Sequence, residues 1–134
     1  MKALVAILGL DSHWRGSVMV ARVLTGAGLE VVYLGNQFPE QIGAAAIQED
    51  PRLIAVSTLS GSHRILVPEL MHCLRQRGVS AAVIVGGSIP PQDVPALREA
   101  GVAEVFGPGR PLAHLTEFIR RLKAEEQDVT FATT

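Results

Sequence analysis

The chain has a single cysteine, Cys73, among its 134 residues. A lone thiol excludes an internal disulfide framework and agrees with a reducing cytoplasm. Aromatic side chains are equally scarce, at 4%, while 48% of the residues are hydrophobic. The core must therefore be built from small aliphatics, which suits a sheet packed tightly between helices. Neither sign of charge dominates. Twelve Lys and Arg against 13 Asp and Glu give a formal net charge of -1, so electrostatics offers no case for a nucleic-acid partner or an acidic membrane surface. No apolar run approaches the roughly 20 residues that span a bilayer. The short run from Ala3 to Leu8 stops at Gly9 and Asp11 with no small-residue cleavage site beyond it, so it reads as a strand and not as a secretory signal. The expectation is a soluble, cytoplasmic, single-domain protein.

What the chain does contain is a repeated pattern. Short aliphatic runs, the mark of strands buried on both faces, alternate five times with amphipathic stretches. The strands are expected at Lys2–Leu8, Glu30–Leu34, Leu53–Ser57, Ala81–Val85 and Ala103–Phe106. Between them, Ser17 is placed to cap a first helix that stops at Gly26 or Gly28. Pro39-Glu40 opens a second helix, Pro68-Glu69 a third that ends at Gly78, and Asp93 caps a short fourth. The last runs from Leu112 to Lys123. Residues 125–134 show no sustained pattern and are expected to be a loose tail behind a domain of residues 1–124. Five strand–helix units with right-handed crossovers imply an α/β, flavodoxin-like (Rossmann-like) doubly wound parallel sheet in the order 2-1-3-4-5. Such sheets bind ligands at the carboxyl ends of their strands, so the loops after strands 1, 3, 4 and 5 are where function belongs.

The first of these loops holds Asp11, His13, Trp14, Arg15 and Gly16. Asp and His two residues apart can hydrogen-bond, which would leave the second imidazole nitrogen free for a metal. A zinc site needs two or three further ligands, and of the other histidines only His63 falls in a carboxyl-end loop. One histidine suffices when the metal arrives already held in a macrocycle. Read alone, the pair serves equally as a surface contact on a loop. After strand 3 comes Ser57-Thr58-Leu59-Ser60-Gly61-Ser62-His63, rich in small hydroxyls. After strand 4 come Gly86-Gly87, and after strand 5 Gly107-Pro108-Gly109-Arg110. Adjacent glycines let a ligand reach the backbone. Together the small residues describe a slot along the sheet edge. Ordinary turns use the same residue types.

Asp11-x-His13-x-x-Gly16, Ser57-x-Leu59 and Gly86-Gly87, in that order and each after its own strand, resemble the three-part signature of cobalamin (B12)-binding domains of the base-off, histidine-on type. The resemblance runs from Lys2 to about Leu122. It is strongest towards the methylmalonyl-CoA mutase-like acyl-CoA mutases, through Gly86-Gly87-Ser88-Ile89-Pro90-Pro91-Gln92-Asp93 and Gly101-Val102-Ala103-Glu104-Val105-Phe106-Gly107-Pro108-Gly109. It implies that His13 is the lower axial cobalt ligand and that Asp11 hydrogen-bonds its other nitrogen. It further implies that Arg15 and Gly16, Ser57 and Leu59, Gly86 and Gly87, and Gly107 and Gly109 line the path of the nucleotide tail. Three positions depart from the family pattern. Ile7 replaces a common Lys, Trp14 is bulky, and Arg110 stands where Thr is usual; a solvated Arg110 is the simpler expectation.

The function implied is that of the small, cobalamin-carrying subunit of a heteromeric adenosylcobalamin-dependent carbon-skeleton mutase, an intramolecular transferase (isomerase). Alone it would be inactive, because the substrate site belongs on a large TIM-barrel subunit of about 250 residues or more. Self-association without that partner is a further expectation. The rival reading is a corrinoid carrier or cobalamin-sensing module for methyl transfer or regulation. Such proteins usually carry a helical cap ahead of this fold, whereas strand 1 here is expected to begin at Lys2. A phosphoryl receiver would need an acidic cluster after strand 1 and an Asp where Ser57 stands. Cys73, His72 and His114 are expected to be ordinary helix residues, and His63 to make a polar contact at the slot mouth.

Overall fold

In the computed structural model the structure describes residues 1–107 and 109–133, with side chains described as far as residue 126. The strands are β1 (Lys2–Leu8), β2 (Glu30–Gln37), β3 (Leu53–Thr58), β4 (Ala82–Gly87) and β5 (Glu104–Phe106). The helices are α1 (Arg15–Gly26), α2 (Pro39–Glu49), α3 (His63–Gln76), α4 (Val94–Glu99) and α5 (Leu112–Thr133), with one 3-10 turn at Pro91–Asp93. All strand pairs are parallel and the order is β2-β1-β3-β4-β5, the flavodoxin-like arrangement that the alternation predicts.

Alternation along each strand divides the core in two. Leu4, Ala6, Leu8, Ile54, Val56, Val83 and Val85 pack under α2, α3 and α4 with Ile42, Val67, Leu70 and Leu97. Ala3, Val5, Leu53, Ala55 and Ile84 face the other way, against Leu24 of α1 and Leu115, Ile119 and Leu122 of α5. β1 and β3 lie side by side at the centre, but β1 leads to α1 on one face and β3 to α3 on the other. Their loops must part, and a crevice opens where they do.

Several helix starts differ from the sequence reading. Ser17 is not the cap of α1, which begins two residues earlier with Trp14 at the N-cap. Its hydroxyl instead donates back to the Trp14 carbonyl at 2.7 Å. α3 begins at His63, so Pro68 lies inside it rather than at its start. Proline lacks the N–H that would reach the carbonyl of Arg64 one turn back, a defect of about 3 kcal/mol in a helix interior. Burial of Val67, Leu70, Met71 and Leu74 on one face of α3 overrides it. Asp93 sits at the N-cap of α4 but makes no capping bond. β2 continues through Gly35, whose φ of 70° absorbs a register shift against β1 between Val5 and Ala6. α5 continues past Lys123 to Thr133. The loose-tail expectation falls largely on residues 127–134, whose side chains lie outside the described residues.

Candidate functional site

The loop from Gly9 to Trp14 is irregular yet held on every side. Gly9 N–H donates to the Gln37 carbonyl at 2.8 Å. Asn36 Nδ2 donates to the carbonyls of Gly9 at 3.0 Å and Asp11 at 2.6 Å. Asn36 escaped the sequence reading because Gly35 broke the apolar run that defined β2. Only a two-residue continuation of that strand brings its amide under the loop.

Asp11 is the centre of the loop. Its residue is 5% exposed, yet it carries an ionisable group. Oδ1 accepts the His13 backbone N–H at 2.9 Å and lies 2.6 Å from His13 Nδ1, while Oδ2 accepts the Leu59 N–H at 2.6 Å. Burial alone pushes the carboxyl pKa up. The N–H groups of Leu59 and His13, with the imidazole, outweigh that and hold it below its ordinary value of 3.8. An ionised carboxylate can only accept, so Nδ1 must donate. That fixes the tautomer: in the neutral ring Nε2 carries a lone pair and no proton, on a side chain left 59% exposed. Among the described residues no group of three or more His, Cys, Asp and Glu is placed to hold a metal ion. A metal at His13 would have to bring its other ligands with it.

Beside this loop a cleft of about 170 Å³ runs down between α1 and α5. Its floor is the sheet face at Val5, Ala55 and Ile84. One wall is Gly16, Ser17 and Val20 of α1, and the other is Phe106, Arg110, Leu112 and Leu115. Ser57, Leu59, Gly86 and Gly87 form its upper edge. The lining is mostly apolar. Ser57 Oγ is buried there with no hydrogen-bond partner among the described residues, a group that waits for a ligand.

The glycines of the cleft have different causes. A Cβ on Gly87, which has φ 126°, would stand 2.0 Å from the Thr58 carbonyl oxygen, so the protein's own backbone requires glycine there. A Cβ on Gly16 would meet nothing within 4 Å, and one on Gly86 only the Phe106 carbonyl at 3.6 Å. Nothing in the fold demands glycine at those two positions; what a side chain would take is cleft space.

Of the residues singled out in the sequence, the structure brings Gly16, Ser57, Leu59, Gly86 and Gly87 to the cleft and joins Asp11 and His13 to it through Leu59. Arg15, Gly107 and Gly109 do not line it. The Arg15 guanidinium lies 5.7 Å over the Trp14 ring, and Pro108 lies outside the described residues. His63 does not reach the slot mouth either. It is 4% exposed, with Nε2 2.8 Å from Asp93 Oδ2, tying the start of α3 to the end of the β4 loop. Arg64 Nε joins the same oxygen at 3.0 Å, and the hydrogen bonds from His63 and Arg64 hold the Asp93 carboxyl below its ordinary range. His72 and His114 are exposed helix residues. Arg110 is not a freely solvated arginine: it donates to Val105 O at 2.6 Å and to Glu104 Oε1 at 3.0 Å. Ser17 and Tyr33 were also missed. Ser17 gives its one proton to Trp14 O, so the Tyr33 hydroxyl donates to Ser17 Oγ, 2.8 Å away, and braces the α1 wall.

The site is thus one exposed histidine on a loop joined through Asp11 to an apolar cleft, at the carboxyl ends of a doubly wound sheet. Residues 1–129 match the B12 binding domain, and the chain belongs to that family. Within it, the chain is 38% identical over 126 residues to the 2-hydroxyisobutanoyl-CoA mutase small subunit of Aquincola tertiaricarbonis, covering 92% of this chain and 93% of that one. It is 39% identical over 124 residues to the pivalyl-CoA mutase small subunit of Xanthobacter autotrophicus, covering 91% and 83%. Methylmalonyl-CoA mutase of Escherichia coli is 35% identical over 130 residues, which are 95% of this chain but 18% of that much longer protein. Among solved structures, a cobalamin-binding protein from Desulfitobacterium hafniense superposes with a TM-score of 0.77 at 19% identity, over 90% of this chain and 58% of its own, a likeness of fold.

Proposed function

We propose that this chain is the cobalamin-carrying small subunit of a heteromeric acyl-CoA carbon-skeleton mutase, an isomerase that is inactive until a large subunit supplies the substrate site. The observation that carries this reading is the 2.6 Å contact of Asp11 Oδ1 with His13 Nδ1, which leaves Nε2 free on a loop that Asp11 Oδ2 ties to Leu59 of an apolar cleft. Near-full-length similarity to two mutase small subunits supports the same reading. The cofactor is adenosylcobalamin, and the partner a TIM-barrel subunit. The compartment is the cytoplasm; among the described residues no helix is long and apolar enough to cross a membrane.

His13 would hold the cobalt through Nε2, and Asp11 keeps the imidazole in the tautomer that leaves Nε2 free to ligate. Gly16 and Gly86 leave room for the nucleotide tail in the cleft, Leu59 and Leu115 pack on its base, and Ser57 Oγ takes a hydrogen bond there. The pairing of Thr58 with Gly87 in the β3–β4 ladder holds the upper edge of the cleft. When bound, the cofactor would supply the radical chemistry of its cobalt–carbon bond. The chain's contribution is to hold the cofactor base-off and to exclude water from its tail.

The test is electron paramagnetic resonance of the protein loaded with cob(II)alamin and grown with nitrogen-15 histidine. Superhyperfine splitting that follows the label and disappears in His13→Ala is expected. Splitting from retained dimethylbenzimidazole would sink the assignment. Co-purification with a large mutase subunit, and activity only in the mixture, tests the heteromeric part.

A further inference from the structure

One cation on the cleft wall has no role in that reading. The Arg110 guanidinium carbon lies 4.5 Å from the centroid of Phe106, whose ring is set edge-on against Phe118 at 6.3 Å. Arg110 Nε donates to His114 Nδ1 at 3.0 Å, and Nη1 donates to both Glu104 Oε1 at 3.0 Å and Val105 O at 2.6 Å. Three of the five N–H groups of a guanidinium are thereby spent. The remaining two are on Nη2, which has no acceptor among the described residues.

Glu104 does not neutralise this group. The same Oε1 also accepts from Arg98 Nη2 at 2.6 Å, so one carboxylate serves two guanidiniums. Burial pushes the Glu104 carboxyl pKa up, and the Arg110 hydrogen bond with the Val105 N–H more than offsets it, so the acid is ionised at neutral pH. The cluster keeps one net positive charge. Its Arg110 end lines a mostly apolar cleft beside Phe106 and Leu112. An arginine already stacked and hydrogen-bonded has lost its side-chain freedom in advance, so a ligand that uses it loses little more. An anion entering an apolar cleft needs such a partner, because an unpaired buried charge is costly.

On the cobalamin reading above, the one anionic group of the nucleotide tail is its phosphodiester. We propose that Arg110 takes that phosphate through Nη2 and makes the cleft selective for corrinoids that carry a nucleotide tail. The competing role is purely structural, a brace between β5 and α5 that any corrinoid would need equally.

Titration with two corrinoids separates the roles. The full chain and its Arg110→Met variant are titrated with aquacobalamin and with cobinamide, which lacks phosphate, ribose and base but leaves cobalt open to His13. Absorbance changes report binding at low and high salt. Loss of one charge-assisted hydrogen bond corresponds to about tenfold in affinity. The expected result is aquacobalamin weakened about tenfold by Arg110→Met, cobinamide changed by less than about twofold, and a smaller salt dependence for aquacobalamin. Arg110→Gln, which keeps a donor for the Val105 carbonyl, repeats the comparison should the Met variant unfold. Equal weakening of both corrinoids, or of neither, overturns the proposal. If neither corrinoid binds the unaltered chain, the cobalamin reading itself fails and takes this one with it.

Discussion

Asp11 Oδ2 accepts the backbone N–H of Leu59 at 2.6 Å across 48 residues of sequence, so the carboxylate that orients His13 also fixes the loop that edges the cleft. β1 and β3 are neighbours whose chains depart to opposite faces of the sheet, and Asp11 is the joint where they part. One oxygen serves the imidazole and the other serves the cleft. A cofactor held at both His13 and Leu59 would therefore meet a single rigid unit.

Asp11→Asn breaks this unit in an informative way. The amide oxygen can still accept from Leu59, while the His13 backbone N–H loses its acceptor, so about 1 kcal/mol of stability is expected to be lost by urea denaturation. The amide nitrogen would then face His13 Nδ1 and donate to it. The ring proton moves to Nε2, and the lone pair needed by a metal disappears. Nitrogen-15 NMR of the histidine is expected to report the tautomer exchange, with cobalamin affinity falling about tenfold to a hundredfold. An unchanged Nε2 lone pair in this variant would contradict the role given to Asp11. Asp11→Ala, which strands a buried Leu59 N–H, is expected to cost more, about 1–3 kcal/mol.

The same hydrogen bonds set a pH dependence. Asp11 and Asp93 both have folded pKa values below the ordinary 3.8. A depressed carboxylate binds its proton less readily folded than unfolded, so its stabilisation is complete above the unfolded value and is lost as pH falls below it towards the folded one. Denaturation between about pH 5 and about pH 3 is expected to show falling stability, with a shallower slope in Asp11→Asn and in Asp93→Asn. A flat profile in the unaltered chain over that window would show that these carboxylates are not the acid-sensitive groups.

The cleft glycines separate fold from binding. Gly87→Ala forces a Cβ onto the Thr58 carbonyl at 2.0 Å, so the backbone must move and a loss of at least about 2 kcal/mol is expected by thermal melting. Gly16→Leu meets open space and belongs to a helix, where replacing glycine recovers about 0.5–1 kcal/mol. Its melting temperature is expected to hold or rise while cobalamin affinity drops at least about tenfold, because the side chain fills the cleft. Unimpaired binding by Gly16→Leu would place the tail elsewhere.

How much of this was legible beforehand follows from what each feature depends on. The strand order followed from five strand–helix units with right-handed crossovers, and the aliphatic run of β1, with Leu4, Ala6 and Leu8 on one face and Ala3 and Val5 on the other, marked it as covered on both sides. The Asp11–His13 contact spans two residues and is local enough to be read from spacing. The start of α3 was misplaced because Pro68 is a strong local signal, and only burial of Val67 and Leu70 against the sheet outweighs it. Asn36 was out of reach for another reason: its role arises from β2 being brought beside a loop 25 residues away in sequence, and no local pattern encodes that. Arg110 was seen, but its partners Glu104, Val105 and His114 are set by how the chain turns from β5 into α5. His63 was seen as a polar residue near the site, but its partner Asp93 lies 30 residues away and turns it from the cleft.

The rim around His13 carries the last prediction. Leu10 is 88% exposed and Ile65 73%, and Trp14, Phe38 and Leu112 are each about half exposed. All five follow a strand or begin a helix at the carboxyl edge of the sheet, the edge that presents His13. An apolar crown of this kind around a cofactor site is the surface a large mutase subunit would cover, with the cofactor between them. Leu10→Glu combined with Ile65→Glu alters neither the cleft nor the Asp11 network. Melting temperature and cobalamin affinity are expected to stay near those of the unaltered chain. Two buried aliphatic anchors contribute about 1.5–3 kcal/mol each, so affinity for the large subunit is expected to fall at least about a hundredfold. Size-exclusion chromatography of the mixed subunits reads the outcome. A complex that forms as tightly with the double variant would move the docking surface away from this edge.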